Sequence, residues 1–282
     1  MTGDSESPIR AGVVGWPVDH SLSPLIHGEW ARRAGIEGRY VPIPVEPDYD
    51  AFVRAMDALK SRGLRGVNVT LPHKENALRY ADAASVNAKT AGAANMLGFG
   101  AETRADNSDI AGFAAAVREQ TDAPGRSALV LGAGGAARGV VLALQSLGVE
   151  EIAIANRTRE KADALAAAFG LSALDWDARE DALTTADLLV NTTSLGMTGE
   201  PALEMNLHAL KTTALVADIV YAPLETGLLK SAKARGCKTV DGLAMLMHQA
   251  VPGFQAWFGG AAVVDDALRA ILVAELKRRG KA

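Results

Sequence analysis

The sequence predicts an α/β protein of two domains: an N-terminal domain with a mostly parallel sheet, and a second domain built as a doubly wound sheet. Three observations predict it. A length of 282 residues exceeds one typical domain and is short for three. Short β-rich apolar runs alternate with helical patterns, the rhythm of βαβ units. That rhythm breaks at the polar, Pro- and Gly-containing stretch 120–125 and then restarts.

In the first series, strands are expected at 11–15, 39–45 and 65–69, followed by helices at 24–34, 49–59 and 72–80. Pro24 and Pro72 suit a first helical turn, where a missing N–H costs nothing, so the bland reading of Ser23 and of Thr70 or Leu71, taken without a ligand, is as helix caps. A helix from Asp109, a reasonable N-cap, to about Glu119 leads out of the domain. Past the junction, strands are expected at 128–131, 152–155, 188–190, 215–219 and 239–240, with Ala-rich helices between them. The tail is helical at 242–257 and 265–279 and has no further strand to pair, so it is expected to return to the first domain. The expected division is 1–109 plus 243–282 against 110–242.

With 49% hydrophobic and 22% charged residues the chain can bury a normal core. Its 29 Lys and Arg against 33 Asp and Glu supply no basic field for nucleic acid or an anionic membrane, so a small molecule is the expected partner. Cys237 stands alone, which excludes an internal disulfide, and at a strand start it reads as a small core residue. No Cys and His cluster has zinc-site spacing, so no metal is expected. Residues 1–7 are polar and acidic without an apolar signal core, and no stretch is long and apolar enough to span a bilayer. A cytoplasmic monomer or homodimer is the expectation.

Leu131 ends an apolar run, after which Gly132, Gly134 and Ala137 occupy the positions of G-x-G-x-x-G/A, ahead of a helical segment 138–147 and a stop at Gly148. The pattern asks for a tight turn, a bare backbone against a pyrophosphate and a small residue where helix meets strand. It predicts a Rossmann dinucleotide site in which Gly132, Ala133, Gly134, Gly135 and Ala136 form the turn. At the end of the next strand, where an NAD enzyme places an acidic residue on the ribose, stands Asn156. Arg157 and Thr158 follow, with Lys161 one turn on, so nothing repels a 2′-phosphate and cationic donors are at hand. NADP is the favoured cofactor. The alternative is that Arg157, Arg159, Glu160 and Lys161 form an ordinary solvated helix start.

The first domain concentrates polar residues where parallel strands end, the place where open α/β sheets bind ligands. His20, Ser21 and Ser23 follow the first strand, and Asn68, Thr70 and Lys74 follow the third. A cation in the first turn of a helix opposes the helix dipole, so Lys74 is either solvated or placed near an anion or a reacting oxygen. Asn95 follows Gly92, Ala93 and Ala94, and Asp106, Asn107, Ser108 and Asp109 precede the outgoing helix. Hydroxyls, amides, one ammonium and one carboxylate at sheet ends suit a small polyhydroxy substrate.

These residues resemble one family, shikimate dehydrogenase. The resemblance lies in His20, Ser21, Leu22, Ser23, Pro24 and His27; in Asn68, Val69, Thr70, Pro72 and Lys74; and in Asn95 and Asp109 within their motifs. It continues through 191–196, 218–223 with Tyr221, and 241–249, in family order along the whole chain. The resemblance implies reversible hydride transfer between NADPH and 3-dehydroshikimate, in the pathway to aromatic amino acids. It implies that Ser21 and Ser23 bind the carboxylate, and that Asn68, Thr70, Asn95, Tyr221 and Gln249 surround the ring. It implies a catalytic pair, Lys74 donating a proton to the developing alkoxide and Asp109 orienting it. Thr192, Ser194, Ile219, Gly242 and Met245 match positions that line the ribose and nicotinamide, and the family places the site in an interdomain cleft.

Gly28, Met96, Ala105 and Ala244 depart from the common family pattern without removing a proposed catalytic group. They leave room for a paralogue acting on quinate or an amino analogue, against which the Ser21 and Ser23 pair argues. A noncatalytic NADP sensor on the same fold is the remaining alternative. The absence of a Tyr-x-x-x-Lys sequence weighs against the short-chain dehydrogenase class.

Overall fold

A computed structural model describes residues 9–281. The polar start at 1–7, with its missing signal core, lies outside the described residues. The described chain forms two compact units, 9–108 with 249–272 and 109–248 with 273–281. Residues 243–248 group with the second unit because Ala244 and Met245 are buried in its core.

The first unit runs β1 (Ile9–Gly15), α1 (Ser23–Ala34), β2 (Arg39–Pro44), α2 (Tyr49–Ser61), β3 (Gly66–Val69), α3 (Lys74–Tyr80), β4 (Ala83–Ala84), α4 (Val86–Ala91), β5 (Met96–Phe99) and β6 (Thr103–Asp106). Its sheet has the order β2-β1-β3-β5-β6-β4. The pairs β1 with β2 and β1 with β3 are parallel, as the βαβ rhythm requires, whereas β5 is antiparallel to both β3 and β6. Helix α2 shows how sequence becomes packing. The Asp48 carboxylate accepts the Ala51 amide at 2.7 Å, and Phe52, Met56 and Leu59, spaced one turn apart, bury a single face. They join Val14, Val67 and Leu97 of the sheet in one apolar core.

Two helix starts differ from expectation. Ser23 is the first residue of α1 and Leu22 takes the cap position without a side-chain bond; α3 begins at Lys74, with His73 at the cap, rather than at Pro72. In both places a turn intervenes between strand and helix, closed by Ser21 N–H to the Val18 carbonyl at 3.0 Å and by His73 N–H to the Thr70 carbonyl at 2.9 Å. The hydroxyls of Ser23 and Thr70 are therefore not caps.

The second unit runs α5 (Asp109–Arg118), β7 (Ser127–Leu131), α6 (Gly135–Ser146), β8 (Glu151–Ala155), α7 (Arg159–Phe169), β9 (Ser172–Leu174), β10 (Leu188–Asn191), β11 (Leu215–Asp218), α8 (Gly227–Ala234) and β12 (Lys238–Val240). Two further helices, α9 (Gly242–Phe258) and α10 (Asp266–Arg278), follow. All pairings are parallel, in the order β12-β11-β10-β7-β8-β9. That is the doubly wound arrangement, with the order reversing between β7 and β10. Alternate strand residues feed two cores: Ala128, Val130, Leu188 and Val190 one, Leu129, Leu131, Leu189 and Val216 the other. Cys237 is buried in the second of these, as expected. No helix among the described residues is long and apolar enough to cross a membrane.

Candidate active site

The glycine turn of the second unit lies at the point where strand order reverses, at the carboxyl end of β7. Gly132 has φ +103°, and a Cβ there would stand 2.7 Å from Thr192 Oγ1, so both backbone conformation and packing exclude a side chain. The Gly132 amide donates to the Ala155 carbonyl at 2.8 Å, and Thr192 reaches back to the Leu131 carbonyl through its amide at 2.8 Å and its hydroxyl at 2.7 Å. The turn is thus tied to the strands on both sides. Gly134 and Gly135 are different: a Cβ at either would meet nothing within 4 Å. Packing does not demand these glycines. Gly134 caps α6 with no side chain, the first turn of α6 carries no acidic residue, and Ala137 is fully buried against the sheet. Ala133 and Ala136 flank this bare, electropositive helix start.

At the end of β8 the Asn156 amide donates to the Thr158 carbonyl at 2.8 Å and shapes the turn into α7. Arg159 is held by Asp163 at 2.8 Å and Asp175 at 2.7 Å. Arg157 and Lys161 are exposed, and no ion pair or side-chain hydrogen bond engages either among the described residues. The cluster therefore separates into one structural arginine and two cations open to a ligand. A bare backbone at a helix N-terminus, an amide rather than a carboxylate at position 156 and a disengaged Arg157 together fit NADP.

Ser194 is exposed after β10, and Ile219 and Tyr221 are half-buried after β11. Burial raises the phenol of Tyr221 above its usual range, with Arg279 opposing. Gly242 lies where a Cβ would be 2.2 Å from the Ile219 carbonyl oxygen, so it lets the segment after β11 pass. Met245 packs into the core of the unit.

In the first unit the polar residues at the strand ends form one hydrogen-bonded chain. The Tyr40 hydroxyl donates to Asn68 Oδ1 at 2.8 Å; Asn68 Nδ2 donates to the Asn95 carbonyl at 3.2 Å. Asn95 Nδ2 donates to Ser108 Oγ at 3.0 Å and to Gln249 Oε1 at 3.3 Å, while its Oδ1 accepts the Ser108 amide at 2.7 Å. Tyr40, Asn68, Asn95, Ser108 and Gln249 are all buried, so these bonds replace water the groups would otherwise need. Ser21 Oγ accepts the Ser23 amide at 3.2 Å, and Ser23 is buried beside Tyr40, to whose phenol it is hydrogen-bonded. Lys74 opens α3, and its carbonyl accepts the Ala94 amide at 2.9 Å, which fastens it to the residue before Asn95. Thr70 donates its amide to the Val14 carbonyl at 2.8 Å, which places it beside the end of β1. Asp109, first residue of α5 in the second unit, is buried.

A family model described as shikimate dehydrogenase substrate binding domain matches residues 13–97, and one described as shikimate / quinate 5-dehydrogenase matches residues 114–221. A protein of Jannaschia sp. strain CCS1 named shikimate dehydrogenase (NADP(+)) is 48% identical over 273 residues, which cover 94% of this chain and 97% of that one. The chain belongs to the shikimate dehydrogenase family. Among solved shikimate dehydrogenases, that of Thermus thermophilus, in complex with NADP(H) and shikimate, is similar with a TM-score of 0.82 at 35% identity, covering 96% of this chain and 99% of that one. The quinate dehydrogenase of Corynebacterium glutamicum, in complex with NAD, has a TM-score of 0.87 at 30% identity, covering 95% and 99%.

The departures from the shikimate dehydrogenase pattern differ in their surroundings. A Cβ at Gly28 would meet nothing within 4 Å, Ala105 and Ala244 are buried in apolar cores, and Met96 opens β5 opposite Asn68 and Asp106. Tyr40 and Ser108 went unassigned by sequence reasoning. Ser108 stands in the Asp-Asn-Ser-Asp stretch, a usable signal. Tyr40 reads as an ordinary strand aromatic, and its bond to Asn68 spans 28 positions.

Proposed function

We propose that this member of the family catalyses the reversible NADP-dependent reduction of 3-dehydroshikimate to shikimate in the cytoplasm, a step toward aromatic amino acids. The observation that carries the reading is the buried chain of amides Asn68, Asn95 and Gln249, which sets a fixed pattern of donors and acceptors for a polyhydroxylated ring at the ends of the central strands. Ser21 and Ser23 bind the substrate carboxylate, with Thr70 and Tyr221 completing the contacts to the ring. The unit of 9–108 with 249–272 carries the residues assigned to the substrate other than Tyr221 and Asp109, and 109–248 carries those assigned to the cofactor.

Bound NADPH supplies the hydride. The turn from Gly132 to Ala136 receives the pyrophosphate, Asn156 and Thr158 the adenosine ribose, and Arg157 with Lys161 the 2′-phosphate. Thr192, Ser194, Ile219, Gly242 and Met245 bound the nicotinamide half. Lys74 donates a proton to the oxygen that becomes the hydroxyl, and Asp109 orients the ammonium and accepts from the product hydroxyl. Replacing Lys74 by Ala is expected to lower turnover roughly 10² to 10⁴-fold while shikimate and NADP still bind. Wild-type turnover in Lys74→Ala, with chemistry rate-limiting, contradicts the assignment.

A further inference from the structure

Two buried polar residues of the second unit, Asn191 and Asp218, have no part in the roles above. They end β10 and β11 side by side in register. Asp218 Oδ1 accepts from Asn191 Nδ2 at 2.9 Å and from the Val220 amide at 3.1 Å, and its Oδ2 accepts from the Thr226 hydroxyl at 2.7 Å. Asn191 Nδ2 also donates to the Leu195 carbonyl at 3.2 Å, and its Oδ1 accepts from the Thr193 amide at 3.0 Å and hydroxyl at 2.7 Å. The Thr193 hydroxyl oxygen then accepts the Leu195 amide at 3.1 Å.

Donor and acceptor roles in this cluster are determined by groups that have no choice. The Leu195 carbonyl can only accept, which turns the Asn191 amide nitrogen toward Asp218. Thr226 Oγ1 accepts the Leu229 amide at 3.3 Å, leaving its own proton for Asp218. Three donors face one carboxyl, so the ionised form satisfies them all and a protonated one would lose a contact. Burial pushes the Asp218 carboxyl up to about 6, which still leaves it ionised at neutral pH.

The segments this pair ties together, 192–196 and 219–226, carry Thr192, Ser194, Ile219 and Tyr221. We propose that Asp218 is a positioning residue: its carboxylate, acting directly on the 219–226 segment and through Asn191 on the 192–196 segment, holds in one register the two loops that present the nicotinamide-side and ring-side contacts. The inference rests on the function proposed above for what those contacts do, but the tie itself is measurable without turnover.

The test compares wild type with Asp218→Asn, which keeps the side-chain size and exchanges one acceptor for a donor. Hydrogen exchange without ligand is expected to show at least tenfold faster exchange at the amides of Thr193, Leu195 and Val220, with the strand amides of β7 and β8 unchanged. In steady state, KM for NADP⁺ and for shikimate are each expected to rise about tenfold while kcat changes less than threefold, the loss of one hydrogen bond to a charged group. If Asp218→Asn fails to fold, Thr226→Val removes a single donor to the same carboxylate and is expected to give the same pattern at smaller size. Unchanged loop exchange overturns the proposal, as does faster exchange with both KM values within twofold of wild type. A wild-type protein that turns over neither shikimate nor quinate, with faster loop exchange in the variant, leaves the tie standing and overturns the function assigned to it.

Discussion

At the scale of single residues, His27 is fully buried, stacked on Tyr40 at 3.9 Å between ring centroids and surrounded by Trp30, Phe254, Trp257 and Phe258. Neither ring nitrogen has a hydrogen-bond partner among the described residues, and burial lowers its pKa to about 3. It is a neutral aromatic spacer against the phenol that holds Asn68. A depressed pKa means that the unfolded chain takes up the proton first, so the contribution to stability is complete above pH 6.5 and is lost as pH falls toward 3. His27→Phe is expected to flatten the loss of stability between pH 6.5 and 4.5 by about 1.4 kcal/mol per pH unit. Urea unfolding at several pH values checks this, and equal slopes in the two proteins contradict it. Arg157, disengaged while Arg159 is locked to two carboxylates, belongs to the same scale. Arg157→Ala is expected to weaken NADP binding about tenfold to a hundredfold with NAD binding unaffected. Calorimetry with both nucleotides reads the difference, and parallel losses would mean that Arg157 does not meet the 2′-phosphate.

At the scale of elements, the turn between β7 and α6 separates two uses of glycine. Gly134→Ala places a methyl in open space at φ −88°, so the melting temperature is expected to hold while NADP affinity falls at least tenfold. Gly132→Ala meets Thr192 at 2.7 Å and must adopt φ +103°, so it is expected to cost about 2 kcal/mol or more of stability before any ligand is added. A stable Gly132→Ala, or a Gly134→Ala with full affinity, breaks this division. The long elements were legible because periodicity and turn chemistry agreed over ten or more residues, as in α2 and in α6. The hairpin β5 and β6 and the short β4 and β9 were not, since they lack the fully buried apolar run that marks β3, β10 and β11 at similar length, and the antiparallel β5 interrupts the parallel rhythm. The cap reading of Ser23 and Thr70, the bland alternative to a role at the substrate, falls because a turn lies between strand and helix, which composition cannot show. Lys74 stood out against a helix dipole, whereas the hydrogen bond from Tyr40 to Asn68 exists only once β1, β2 and β3 are aligned.

At the scale of the whole molecule, the two sheets divide the work by topology. One brings a run of buried amides to its strand ends, and the other brings a bare helix start to the point where its strand order reverses and an uncommitted arginine to the end of the neighbouring strand β8. The resemblance to a quinate enzyme solved with NAD and to a shikimate enzyme solved with NADP(H) makes substrate and cofactor preference the central question. Initial rates of the purified chain with shikimate or quinate, each with NADP⁺ or NAD⁺, answer it directly. A kcat/KM for shikimate with NADP⁺ at least tenfold above the other three combinations is the predicted result. A preference for quinate with NAD⁺, or no turnover in any of the four, would contradict it.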